Sequence, residues 1–176
     1  MRVIGGKYKG KRFVPPTNFP SRPTTDFAKE ALFNIIENRY DLEDLSVLDL
    51  FSGTGSIGME FLSRGAKNVL SIDNHFVSFK FLKNTQESLS DKNWQVRKQD
   101  AIRYLEQTPV KFDIIFADPP YEMKGTSELP EIIFSRNLLN KDGLLIIEHG
   151  RENDFKKMAQ FKEIRNYGGV NFSFFE

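Results

Sequence analysis

The sequence predicts an α/β fold built on a mostly parallel sheet with helices on both faces. Three observations carry that prediction. From residue 46 onward, short apolar segments alternate with amphipathic ones, the order that parallel strands joined by crossover helices produce. A glycine-rich run, Gly53-Thr54-Gly55-Ser56-Ile57-Gly58, stands directly between the first strand segment and the helix that follows it. Near the carboxyl end, two β segments flank Gly168-Gly169, a two-residue hairpin turn, so the last strand runs antiparallel. Such an arrangement is Rossmann-like.

Each element has its own local signal. Val3-Ile4 and Arg12-Phe13-Val14 flank a glycine-containing stretch and predict a small amino-terminal β-hairpin. Pro15, Pro16, Pro20 and Pro23 force an extended connector. Thr24 or Thr25 can cap a helix with Asp26 in its first turn. Phe27, Ala31 and Ile35, with Ala28, Leu32 and Ile36 beside them, give it an apolar face. Strands follow at 47–51, 69–73, 94–97, 112–117, 143–148, 162–167 and 170–175, seven in all. Helices are expected between the first five, the last of them spanning about 128–139.

Bulk composition narrows the function. The 176 residues suit one domain, comprising a basic hairpin and connector (1–23), a helix (24–45) and the Rossmann-like core (46–176). Hydrophobic residues at 39% and charged residues at 28% describe a globular chain. The absence of Cys excludes disulfides and thiolate metal sites, and with only His75 and His149 present no metal is expected. No apolar run is long enough to cross a bilayer, and the amino terminus lacks a secretory signal, so a cytoplasmic monomer is the expectation. The net charge of +1 conceals an asymmetry: Arg2, Lys7, Lys9, Lys11, Arg12 and Arg22 precede any acid. A basic arm on a mildly acidic body suits contact with a phosphate backbone, although a solvated hairpin has the same composition.

The glycine loop points to a nucleotide-like cofactor. It matches the dinucleotide fingerprint, and Asp73 lies 20 positions after Gly53, where a ribose-binding acid belongs. A nicotinamide oxidoreductase therefore stays open on the loop alone. Asp49 tilts the reading within Asp49-Leu50-Phe51-Ser52-Gly53-Thr54-Gly55. A carboxylate there repels a pyrophosphate but attracts the sulfonium and ammonium of S-adenosylmethionine. The structural alternative for Asp49 is a capping acid. Asp73 would bind both ribose hydroxyls, and Asp100, after the third strand, the adenine amino group; Asp100 reads equally as a helix N-cap. These acids fall at successive strand ends, where such sheets bind ligands.

Asp118-Pro119-Pro120-Tyr121 ends the fourth strand, which the usual strand order places beside the first. An exocyclic base amine is a poor nucleophile because its lone pair is delocalised into the ring. Asp118 can accept one of its N–H groups and the Pro119 carbonyl the other, pulling the nitrogen towards tetrahedral geometry. The two prolines fix that carbonyl, and Tyr121 can stack on an extruded base. No strong base is needed before transfer, because the proton becomes acidic only as the nitrogen turns cationic.

With these motifs in place, the chain resembles the class I S-adenosylmethionine-dependent methyltransferases, and more closely the bacterial 16S ribosomal RNA guanine-N2 methyltransferase family. The resemblance rests on Arg2-Val3-Ile4-Gly5-Gly6, Arg22-Pro23-Thr24-Thr25-Asp26, Glu30-Ala31-Leu32-Phe33-Asn34, Leu62-Ser63-Arg64-Gly65-Ala66 and the two site motifs. It implies methylation of the N2 amine of one guanine in 16S rRNA, within an assembling small ribosomal subunit. It also implies that the hairpin, through Lys7, Lys9, Lys11 and Arg12 with Tyr8 available to stack, contacts RNA, and that Arg22 to Asp26 border the active site. The loop after Tyr121 carries no recognisable signal for the choice of base. A DNA adenine-N6 or cytosine-N4 methyltransferase shares the tetrapeptide, but the added recognition segment usual in such enzymes is not found here.

Overall fold

A computed structural model describes residues 1–20, 24–123 and 125–176. Its strands are β1 (Ser46–Leu50), β2 (Asn68–Asp73), β3 (Trp94–Lys98), β4 (Phe112–Ala117), β5 (Leu139–His149), β6 (Phe161–Tyr167) and β7 (Val170–Phe175). Its helices are α1 (Asp26–Glu37), α2 (Ser56–Ser63), α3 (Phe76–Leu89), α4 (Ala101–Gln107) and α5 (Leu129–Ser135). All seven strands form one sheet in the order β3-β2-β1-β4-β5-β7-β6. The first five are mutually parallel, and β7 is antiparallel to both of its neighbours. The last strand therefore lies inside the sheet. Gly168 and Gly169, with φ of +62° and +95°, turn the chain back so that β7 fills the slot beside β5. Phe172, Phe174 and Phe175 on β7 are fully buried, whereas β6 exposes Lys162 and Arg165, charges that protect a sheet edge.

Helices cover both faces. Leu32, Phe33, Phe61 and Trp94 belong to the core on the α1–α3 side, and Tyr104, Leu105 and Ile133 to the core on the α4–α5 side. Thr25 caps α1, its hydroxyl oxygen accepting the Ala28 N–H at 3.2 Å. The buried row of α1 is Ala28, Leu32 and Ile36, together with Phe33, while Phe27 is 66% exposed. The apolar face is thus turned by one position from the Phe27-Ala31-Ile35 row, because the sheet meets the helix on that side. The helix expected over 128–139 ends at Ser135: Asn137 takes a left-handed φ of +53°, and Leu139 already pairs with Phe112 as the start of a longer β5.

The amino-terminal hairpin is reduced to one antiparallel bridge, Arg2 to Arg12, with a 3-10 turn at Gly6–Tyr8. It docks on the end of α2. Gly6 has φ +70°, and a Cβ there would lie 1.8 Å from the Ser63 carbonyl oxygen, so only glycine allows this approach. Beneath it sits a buried ionic cluster that sequence periodicity did not foresee. Lys29 Nζ donates to the Arg2 carbonyl (2.6 Å) and Ser56 Oγ (2.9 Å), and lies 3.5 Å from Glu60. The Glu60 carboxylate accepts the N–H groups of Ile4 (2.9 Å) and Gly5 (2.7 Å) and Nε of Arg64 (2.8 Å).

Candidate active site

The carboxyl ends of β1, β2, β4 and β5 converge, and the cofactor loop grows from β1. Phe51 leaves the strand with φ +58°, Ser52 Oγ donates to the Asp49 carbonyl at 2.7 Å, and Gly53 follows with φ +54°. Gly55 has φ +73°, and a Cβ there would fall 2.3 Å from Leu82 of α3, so the loop packs against that helix with no room for a side chain. Thr54 is buried within the turn. The Gly53 N–H donates to Asp73 Oδ2 at 2.8 Å, and His75 N–H to Asp73 Oδ1 at 2.8 Å. Two backbone donors thus aim the carboxylate at the end of β2. Each oxygen keeps a lone pair to accept from a ligand hydroxyl, the pair of acceptors that two ribose hydroxyls require. Burial raises the Asp73 carboxyl above its usual range.

Asp49 lies one residue inside the end of β1. It is only 1% exposed and points beneath the loop, where Oδ2 accepts the Gly58 N–H (3.2 Å) and Ser71 Oγ (3.0 Å). Ser71 in turn accepts Nε1 of Trp94 at 3.0 Å. A Cβ on Gly58 would sit 2.6 Å from both Asp49 Oδ2 and Ser71 Oγ, which accounts for the third glycine of the loop. Asp49 thus helps to shape the loop through its Oδ2 bonds to Gly58 and Ser71, bonds in which Oδ1 takes no part.

Burial pushes the Asp49 carboxyl up to about 7. Glu148, at the end of β5, is likewise pushed up to about 7 by burial. Between their ordinary values near 4 and about 7 the folded chain holds protons that the unfolded chain has released. Stability of the ligand-free protein is therefore expected to fall as pH rises through that window and to level off above it. For a chain of this size each kcal/mol lost lowers the melting temperature by about 2–4 °C. Asp49→Asn should remove part of the slope. A melting temperature that rises steadily from pH 5 to 8 would mean that these carboxyls ionise freely in the folded chain.

Asp118 follows the last residue of β4, and its N–H donates to the Leu50 carbonyl of β1 at 3.3 Å. Pro119 is buried; Pro120 is exposed, and Tyr121 is 67% exposed, its ring on the open side of the site. Burial, then the Glu148 and Asp49 charges, hold the Asp118 carboxyl well above its ordinary value. Glu148 is the residue that sequence reasoning missed. Ala117 pairs with Ile147 in the parallel ladder, so Asp118 and Glu148 are the next residues along on adjacent strands. Glu148 is 5% exposed, and Thr24 Oγ1 donates to its Oε2 at 3.0 Å, tying the segment ahead of α1 to the site. The available signal was an acid closing the run Leu144-Leu145-Ile146-Ile147, in the same strand-end position as Asp73.

Asp100 is exposed and caps α4, accepting the Arg103 N–H at 2.9 Å. On the hairpin, Lys7 Nζ lies 2.7 Å from Asp91, and the Tyr8 hydroxyl donates to the same carboxylate at 2.7 Å. The ammonium groups of Lys7 and Lys11 each sit 5.1 Å from the Tyr8 ring centroid. Tyr8 is thus held in place through its hydroxyl, with its side chain half-buried. Lys9, Lys11 and Arg12 are exposed, and Arg22 lies outside the described residues. Among the described residues no group of three or more His, Cys, Asp or Glu could hold a metal ion, and no helix is long and apolar enough to cross a membrane.

Comparison with known proteins adds an independent line. The family model described as Conserved hypothetical protein 95 matches residues 1–176. Ribosomal RNA small subunit methyltransferase D of Buchnera aphidicola (subspecies Baizongia pistaciae) is 34% identical over 159 residues, spanning 90% of this chain and 79% of that protein. The protein of the same name from Escherichia coli K12 is 32% identical over 154 residues, spanning 87% and 76%. A solved structure of a hypothetical protein from a Thermus species superposes with a TM-score of 0.86 over 100% of this chain and 99% of that one, at 23% identity, so it speaks to the fold.

Proposed function

This chain belongs to the Conserved hypothetical protein 95 family, and from that premise we propose that it is an S-adenosylmethionine-dependent methyltransferase acting on the exocyclic N2 amine of a guanine in 16S rRNA of the small ribosomal subunit. The observation that carries the reading is the placement of Asp118-Pro119-Pro120-Tyr121 at the end of β4, hydrogen-bonded to β1 and thus beside the glycine loop. The names of the Buchnera and Escherichia relatives supply the RNA class.

The residues present suit the cofactor. Asp73 would hold the ribose hydroxyls, and the backbone of Phe51, Ser52, Gly53, Thr54 and Gly55 would surround the amino-acid end. Asp100 would meet the adenine amino group with whatever accepting capacity its cap leaves free. The acids Asp49, Asp118 and Glu148 gather at these strand ends, where an arriving sulfonium would favour their ionised forms and the pyrophosphate of a dinucleotide would be disfavoured. Bound S-adenosylmethionine supplies an electrophilic methyl group. The chain does the rest: Asp118 and the Pro119 carbonyl accept the two amine protons and localise the nitrogen lone pair. Pro120 stiffens the turn, and Tyr121 stacks on the extruded base. Lys9, Lys11 and Arg12 offer charge to the RNA backbone, with Lys7 partly neutralised by Asp91.

The test is transfer of labelled methyl from S-adenosylmethionine to unmethylated small subunits, their deproteinised RNA, and genomic DNA, followed by nucleoside mass spectrometry. N2-methylguanosine from ribosomal RNA is the expected product. Label on adenine or cytosine, or in DNA, would keep the chemistry and overturn the substrate.

A further inference from the structure

The site holds one more acceptor than amine activation requires. Asp118 and the Pro119 carbonyl account for both protons of an exocyclic amine, whichever base carries it. Glu148 remains. It is the penultimate residue of β5, one step beyond the Ala117–Ile147 pair, so its backbone lies about one strand spacing, ~4.8 Å, from that of Asp118. Thr24 holds one of its oxygens from the side of α1. The Glu148 charge acts on both Asp118 and Tyr121, as expected for neighbours at adjacent strand ends.

We propose that Glu148 is the specificity-determining residue of the site, accepting the N1–H of a guanine whose N2 amine is held by Asp118 and Pro119. The inference rests on the methyltransferase reading above. Its logic is a count of donors. The Watson–Crick edge of guanine presents an amine with two N–H groups and, beside it, a ring N–H; three donors meet three acceptors. Adenine and cytosine present an amine beside a ring nitrogen lone pair, which would face the Glu148 carboxylate and repel it. A site that hydrogen-bonds a specific N–H rejects the analogue lacking it far more strongly than one that merely encloses a shape. Thr24, by occupying Oε2, leaves Oε1 as the oxygen directed to the base. Discrimination is thus built from the carboxyl end of β5 and the segment ahead of α1, and not from the loop after Tyr121.

The experiment compares RNA carrying guanine at the methylated position with RNA carrying 2-aminopurine there. 2-Aminopurine keeps the N2 amine but has a lone pair at N1. The ratio of kcat/KM on the two RNAs is measured at alkaline pH for wild type, Glu148→Gln and Thr24→Val; intrinsic differences in amine reactivity cancel between proteins. Wild type is expected to prefer guanine, and Glu148→Gln to collapse that preference by roughly 10- to 100-fold, because its amide can donate to N1. Thr24→Val should move the ratio the same way by a smaller factor. Equilibrium binding of the two RNAs without cofactor should follow the same order, and S-adenosylhomocysteine affinity should be unchanged. An unchanged ratio in Glu148→Gln, or equal losses on both RNAs, overturns the proposal. If Glu148→Gln loses S-adenosylhomocysteine binding through misfolding, the Thr24→Val ratio decides. Wild-type enzyme that methylates another base instead of guanine would sink the substrate reading itself, a result separate from any effect of Glu148.

Discussion

Asp118→Ala is expected to lower methyl transfer by roughly 10²- to 10³-fold while leaving S-adenosylhomocysteine binding close to wild type. The separation of the two readouts is what the geometry dictates. Cofactor contacts would come from the loop after β1 and from Asp73, whereas Asp118 follows β4, on the side of β1 away from β2. Its carboxylate has a burial cost in the ligand-free protein, aggravated by Glu148 and Asp49. That cost is offset when a sulfonium and an amine donor arrive together, so the carboxylate binds the reacting arrangement better than either component alone. Alanine removes the acceptor and also the repulsion. S-Adenosylhomocysteine, which lacks the sulfonium charge, should bind at wild-type strength, and S-adenosylmethionine somewhat more weakly. Asp118→Asn keeps one carbonyl acceptor and should retain more activity than alanine. Loss of S-adenosylhomocysteine binding in Asp118→Ala would move Asp118 into the cofactor site and leave the amine without its proposed partner.

How much of this was legible in the sequence depends on the range of the interaction. Strand and helix order was readable because the alternation of apolar segments is local, and the Thr25 cap and Gly168-Gly169 turn are local too. Asp73 and the Asp118 tetrapeptide were readable because their positions follow from strand ends. The place of Asp49 in β1 is a matter of sequence, but its bond to Ser71, itself held by Trp94, comes from β2 and β3 and was not readable. Glu148 was missed because its neighbour Thr24 is 124 positions away. Lys29 was invisible for the same reason, since a lysine in an amphipathic helix reads as solvent-facing until Glu60 and the hairpin are brought to it.

That buried lysine carries the second large expectation. Lys29→Met is expected to destabilise the protein by about 1–3 kcal/mol, because it removes one of the two counter-charges of buried Glu60 and the donor to two further acceptors. The Glu60 carboxylate would keep Arg64 and the Ile4 and Gly5 N–H groups, but it loses the more deeply buried of its two counter-charges. Two further acceptors lose their donor: the Arg2 carbonyl and Ser56 Oγ. Ser56 opens α2 directly after Gly55, and Arg2 anchors the hairpin bridge, so one ammonium ties the basic arm, α1 and the end of the cofactor loop together. The loss should therefore appear first as faster hydrogen exchange at Ile4 and Gly5, and only then as a lower global melting temperature. Glu60→Gln should cost a similar amount by stranding the lysine. The double variant Lys29→Met with Glu60→Gln should cost clearly less than the sum, since no buried charge is left unpaired. Strict additivity would show that the two charges act independently and that the hairpin is held by its backbone contacts with α2 alone.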